Sequence, residues 1–319
     1  MNAASSHNTP LTPLQSRQLL GGLFALIFGS VVVACLSGPA LFHFMIALGR
    51  RYEGFTALRN IPFETFLARW VVICFVIGLI PLARRLKAYW RAAFGLVLYP
   101  RWRYAIWAGW RFGVLSVMTI LLIAWALGAY RWEPVSVSRL IGRLIAYGVG
   151  SLIIGIVEEV FFRGALFGAM RNVMRWIPAA IVASIFFAAL HFISPQHPEG
   201  IAHAHWYSGF SLLPHVFFRT SDLTHYWPFA LNLFLVGLIL CALYQRHGHI
   251  YYLVGLHAGW VIAFQAGRLL FELQPGLDSW FWGASTNVAR SWLATIMLSL
   301  MAVIAFRMSW KGVFSGGIK

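Results

Sequence analysis

Eight runs of mainly apolar residues, each near the length needed to cross a bilayer, leave this chain few folds to choose from. A helix rises about 1.5 Å per residue and the hydrocarbon core is about 30 Å thick, so roughly 20 apolar residues make a span. The runs are 19–48, 66–83, 105–128, 141–168, 176–193, 227–244, 250–270 and 289–308, with Gly38-Pro39 placed to kink or end the first. In lipid every backbone polar group must be paired within the protein, so the runs read as helices. The expected fold is all-α, a polytopic transmembrane bundle of about eight spans. Composition agrees: 60% of the residues are hydrophobic and 11% charged, a balance that a soluble domain of this size could not keep wet.

The formal net charge of +16 would point to nucleic acid in a soluble chain. Here the cations collect between the apolar runs, which is the pattern of membrane topology and of contact with anionic head groups. Nucleic acid is therefore not an expected partner; the lipid bilayer is. Arg84, Arg85, Lys87, Arg91, Arg101 and Arg103 form the densest cluster, and Arg171, Arg175, Arg246, Arg307, Lys311 and Lys319 mark the same side. The opposite side is poorer, with Arg131, Arg139 and Arg219. That bias places both termini in the cytoplasm, although Arg50, Arg51 and Arg59 dissent from it. The stretch 84–103 mixes aromatics with cations and suits an interfacial helix. Residues 1–18 and 309–319 read as cytoplasmic tails, the first disordered, and 19–128 as N-terminal spans with the basic loop. Cys35, Cys74 and Cys241 lie within apolar runs and make no disulfide or metal framework.

Against this background two acidic residues are conspicuous. The chain has only nine, and Glu158 and Glu159 stand side by side inside an apolar run. A carboxylate in hydrocarbon costs at least a few kcal/mol, so the pair needs a compensating role. On a helix, residues four apart share a face while neighbours diverge by about 100°. Glu159 is thus stacked with Arg163 and suits an ion pair, leaving Glu158 to face a cavity. A purely structural role for both acids, pairing with arginines to hold the bundle, is the bland alternative.

Two histidines interrupt later apolar runs, His191 and His257. Counted along their helices, the glutamates and both histidines sit at compatible depths, about 12–25 Å from the cytoplasmic ends. A glutamate and two histidines from three runs would suit a carboxylate that activates water, with the histidines stabilising an oxyanion. The same set suits a divalent metal such as zinc. The stretch 194–226 adds His197, His203, His205, His215 and His225 without a zinc-ligand spacing, and reads as a solvated loop, with a lid or a substrate-recruiting insertion as the alternatives.

Glu158-Glu159-x-x-x-Arg163, Phe187-x-x-x-His191 and His257 in Gly255-Leu-His257-Ala-Gly259-Trp260 together resemble the three motifs of the CPBP family. These are intramembrane proteases related to the CAAX prenyl endopeptidase, many of them bacterial and once called abortive-infection proteins. The resemblance covers about 140–265 and implies a catalytic core in the C-terminal half, 140–308. It implies an endopeptidase of a multi-pass protein in a bacterial inner (cytoplasmic) membrane, acting on a membrane-associated protein or peptide. Carried over by position, Glu158 is the general base, His191 and His257 are oxyanion stabilisers or metal ligands, and Glu159 and Arg163 support the site. One position departs: the family's third motif usually continues to an Asn or Asp where this chain has Val261. Gln265 and Asn232 are the candidates to fill that role. Val261 also favours the alternative of a non-proteolytic scaffold or immunity protein on the same fold. A proton-coupled transporter is the third reading, weakened by the lack of an internal repeat.

Overall fold

The computed structural model describes residues 11–192, 204–215, 223–283 and 288–315. The eight apolar runs become seven helices long and apolar enough to cross a membrane, and one shorter apolar helix, among the described residues. The long ones are α1 (Pro13–Arg51), α2 (Phe63–Arg85), α3 (Trp102–Ala126), a run from Val137 to Val173, α7 (Leu223–His247), α8 (Tyr251–Leu270) and α9 (Trp292–Ser315). Within Val137–Val173, α4 (Val137–Glu158) leads into a π-helix (Glu159–Phe167) and then α5 (Gly168–Val173). The short helix is α6 (Trp176–Leu190). This is an all-α polytopic bundle. The protein is an integral, multi-pass membrane protein.

The helices form two compact units. The first comprises 1–17, 88–188 and 222–319. In it α8 is wedged between α3 and α4. Gly109 and Gly113 of α3 face Gly255 and Gly259 of α8 so closely that side chains would not fit. A Cβ on Gly255 would stand 2.0 Å from the Ile106 carbonyl oxygen, and one on Gly113 would stand 2.4 Å from that of Leu256. Small residues spaced four apart on both helices let the backbones touch, which is how helices gain packing energy in lipid. Outward, α4 presents Ile141, Ile145 and Val149, all more than half exposed, as a lipid-facing stripe. A two-stranded antiparallel ribbon of β1 (Tyr130–Trp132) and β2 (Phe271–Leu273) ties the end of α3 to the end of α8, and its apolar face packs on Ile120, Leu121 and Ala294.

The second unit comprises 18–87 and 189–221. Its core gathers Ala34 and Phe42 of α1, Phe63 and Leu67 of α2, and Ala204 and Leu212. Gly209 packs on Cys35, whose thiol donates to the Gly209 carbonyl at 3.2 Å.

Three expectations change. Residues 13–18 belong to α1 rather than to a disordered tail, because Thr12 and Gln15 cap each other: Thr12 N–H donates to Gln15 Oε1 at 2.9 Å and Gln15 N–H to Thr12 Oγ1 at 3.2 Å. Helix α1 also runs through Pro39 without ending there. The basic stretch 84–103 is not one interfacial helix. It holds a four-residue helix, Trp90–Ala93, and then an irregular strap in which Phe94 and Gly95 are buried. The strap docks on protein: Ile250 N–H donates to the Gly95 carbonyl at 3.1 Å, and Tyr251 Oη to the Val97 carbonyl at 3.1 Å.

Candidate active site

The site begins where α4 changes its winding. Ser151 and Gly155 turn toward the protein interior, and Gly155 lies close enough to α8 that a Cβ would be 3.1 Å from the Val254 carbonyl. The same face carries Glu159, which opens the π-helix. That segment is almost wholly buried, from Glu159 through Phe167 except Val160. π-helical turns are rare and are frequent at functional sites, since the extra residue per turn shifts the side chains that follow. Helix α4 was expected to continue as an ordinary helix to 168; it is π-helical from Glu159.

Gly164 shows what the altered winding makes room for. A Cβ there would be 2.1 Å from the Phe94 carbonyl oxygen, so the strap runs directly against the π-helix.

Glu159 is the hub of the polar cluster, with its side chain fully buried. Its Oε1 accepts from Arg163 Nη1 at 2.9 Å and from His257 Nδ1 at 2.8 Å. Arg163 is equally buried and is packed between rings, its guanidinium carbon 4.4 Å from the Phe187 centroid and 5.6 Å from that of Phe162. Such cation–π contacts gain strength when water is excluded. His257 reaches the cluster from α8, where Gly255 and Gly259 bracket it, and Phe187 meets its ring edge-on at 6.4 Å. Its second nitrogen, Nε2, points to Glu158, 3.8 Å from Oε2 and beyond hydrogen-bond reach. Glu158 itself is about a quarter exposed, while its Oε2 is buried and has no hydrogen-bond partner among the described residues. The two acids therefore differ: Glu159 is enclosed and paired, and Glu158 is the acid with open access.

Residues 140–263 match a family model described as type II CAAX prenyl endopeptidase Rce1-like. Over those residues the chain is similar to the CPBP family. The class of chemistry that follows is that of CAAX-type intramembrane endopeptidases. Comparisons with curated proteins and with solved structures gave no match.

The other expected residues of this CPBP-like core are distributed as follows. His191 lies one residue beyond the end of α6, is exposed, and falls in the second compact unit. Asn232 does not stand in for the residue missing at Val261. Its amide donates to the carbonyls of Ala289 and Ser291, both at 3.0 Å, and its oxygen accepts from Thr295 Oγ1 at 2.7 Å, so it is spent on joining α7 to α9. Gln265 is partly buried on α8 and makes no hydrogen bond among the described residues. Of the histidine-rich stretch, His197 and His203 lie outside the described residues. Phe187 was only a marker of the second motif; it is the ring on which Arg163 and His257 both rest.

A metal held here would take its ligands from Glu158, His257 and the expected His191. Glu158 Oε2 and His257 Nε2 are two suitable atoms, and His257 is oriented through Nδ1 by a carboxylate, as metal-bound histidines usually are. No group of three or more His, Cys, Asp or Glu side chains arranged to hold a metal ion occurs among the described residues. No step below passes through a metal.

Proposed function

We propose that this protein is an intramembrane endopeptidase in which Glu158 activates water against a peptide bond of a membrane-associated protein or peptide. The supporting observation is the asymmetry of the glutamates around one imidazole. Glu159 fixes His257 through Nδ1, and Nε2 is left aimed at an acid whose Oε2 has no hydrogen-bond partner among the described residues. Water held by Glu158 gives its proton to the carboxylate as its oxygen bonds to the scissile carbonyl carbon. Negative charge then builds on the carbonyl oxygen, where His257 Nε2–H donates when the ring carries both protons. The C–N bond breaks as the proton on Glu158 passes to the departing amine, which restores the carboxylate. Arg163 and Glu159 act as positioning residues for His257. His191 assists from the family's second motif, as an oxyanion donor. The charge pattern of the loops supports placing both termini in the cytoplasm.

The test is cleavage of a membrane-tethered reporter by purified protein in proteoliposomes. Glu158→Gln is expected to lose cleavage while retaining expression and thermal stability, and His257→Ala and His191→Ala to lose cleavage likewise. Cleavage by Glu158→Gln at the wild-type rate would refute the mechanism.

A further inference from the structure

The second compact unit holds a cavity that the proteolytic reading leaves unused. Its volume is about 740 Å³, and it opens where α1 ends and α2 begins. His43, Arg50, Arg51 and Arg59 line it, and among the described residues no Asp or Glu does. Asn60 adds one neutral polar side chain, and the remainder of the wall is apolar, with Phe42, Ile46, Ile61 and Phe63 prominent. Arg59 is tied back to α1, its Nε donating to the Gly49 carbonyl at 2.6 Å, which closes the helix end and fixes one wall. Arg50 and Arg51 are exposed and have no carboxylate partner among the described residues.

Three arginines at this place are not explained by topology. Arg84, Arg85 and Lys87 stand at the other end of α2, so the two cationic groups lie at opposite ends of one apolar helix. The positive-inside bias accounts for one end only. Cations at the end of α1 do favour its dipole, but that effect needs no cavity. The dimensions add the deciding constraint. Small-molecule sites run from about 300 to 1,000 Å³, so this one is in range for a ligand larger than a bare anion. Its mixed wall calls for a ligand that is anionic at one end and apolar at the other, and the mouth lies at the ends of two helices long and apolar enough to cross a membrane.

We infer that this cavity is a binding site for the phosphate head group of an anionic phospholipid, with Arg50 and Arg51 on the phosphate and the apolar wall against the glycerol and first acyl carbons. Arg59 shapes the pocket, and the site is independent of the endopeptidase reading.

The purified full chain in neutral detergent would be titrated with phosphatidylglycerol or phosphatidylcholine, and bound lipid counted by native mass spectrometry. Phosphatidylglycerol should bind saturably and phosphatidylcholine at least tenfold more weakly. Each arginine near an anionic lipid is worth about fivefold, so Arg50→Gln with Arg51→Gln should weaken phosphatidylglycerol about 30-fold. The paired Lys substitutions should stay within about threefold of wild type, which separates loss of charge from loss of fold. Arg84→Gln with Arg85→Gln, at the other end of α2, should leave the preference intact. Equal binding of both lipids by wild type overturns the proposal, as does an unchanged affinity in the double Gln variant. Displacement of the lipid by equimolar inorganic phosphate, or by a peptide through its C-terminal carboxylate, would likewise overturn it.

Discussion

Arg163 with Glu159, and Arg131 with Glu272, are the same two groups in opposite surroundings. The first pair joins at 2.9 Å with side-chain exposures of 1% and 0%, deep in the CPBP-like core. The second joins across the β1–β2 ribbon with half of each side chain in the open, and Arg131 also reaches Glu133 at 3.4 Å. Around Arg131 water can replace any partner that is lost. Around Arg163 two aromatic rings occupy that space, and two of its nitrogens, Nε and Nη2, have no hydrogen-bond partner among the described residues. Burying charge costs several kcal/mol per ion before attraction offsets it, and an apolar replacement of the whole pair is often as stable. The inner pair therefore makes better sense as a device for orienting His257 than as a source of stability. Both clusters can be broken by single substitutions, and the contrast between them is the test.

The largest effect belongs to chemistry rather than to folding. Glu158→Gln keeps the shape of the more accessible of the two adjacent glutamates and removes its basicity. Reporter cleavage should fall by about 10²–10⁴, the usual worth of a general base, with the unfolding temperature unchanged. Next comes the inner pair. Arg163→Ala leaves Glu159 buried with only His257, and such uncompensated charge costs about 3–5 kcal/mol. The loss should appear as a lowered midpoint in thermal or denaturant unfolding. Replacing Arg163 by Leu and Glu159 by Leu together should recover most of that stability and none of the activity. If the double variant cleaves normally, the orienting role assigned to Glu159 is wrong.

The helix that delivers His257 offers a third point of attack. Gly255→Ala pushes a methyl into the Ile106 carbonyl of α3, a backbone contact that no side chain can yield. Overpacking of this kind costs about 1–3 kcal/mol and shifts the element that carries it. Activity should drop even where the protein stays folded, because His257 is two residues away. Gly142→Ala, where nothing lies within 4 Å, is the matched control and should be neutral in both assays.

How much of this was legible beforehand depends on the kind of signal. The apolar runs announced the spans because length and hydropathy decide membrane insertion, and α6, with 15 residues, is the run that falls short of span length. The spacing of Glu159 and Arg163 announced their contact, since residues four apart stay near one face in an α-helix and remain within reach in the wider π-helix. Two further signals stood in the sequence unread. Thr12-Pro13-Leu14-Gln15 is a capping box with Pro in the first turn, and it places the start of α1 inside the supposed tail. Gly109-x-x-x-Gly113 and Gly255-x-x-x-Gly259 are paired small-residue motifs, and they give the contact of α3 with α8. The π-helix was not legible, because what packs on it, the strap at Phe94 and His257 on Glu159, is distant in sequence. Nor was the fate of Asn232, whose amide is consumed by carbonyls some sixty residues away.

The smallest expected effect tests the outer cluster. Hydrogen bonding and then charge from Arg131 hold the Glu272 carboxyl below its ordinary range, whereas a hydrogen bond shared with Glu272 holds Glu133 above its own. The signs oppose each other. A depressed folded value gives Glu272 a contribution that is complete above the unfolded pKa and is lost as pH falls through the folded one. A raised folded value gives Glu133 a contribution that is complete below the unfolded pKa and is lost as pH rises through the folded one. Removing Glu133 alone should therefore open a gap from wild type that widens on acidification and closes toward neutrality. Unfolding midpoints of Glu133→Gln and wild type, followed from pH 7 to pH 3.5, would show that slope. At neutral pH, Glu272→Gln should move the midpoint barely beyond error, and added salt should shrink even that, because exposed charges are screened within about 10 Å at 0.1 M. A midpoint shift for Glu272→Gln as large as that of Arg163→Ala would mean that exposure does not separate the two clusters, and the orienting role of the inner pair would then have to rest on the activity of its variants alone.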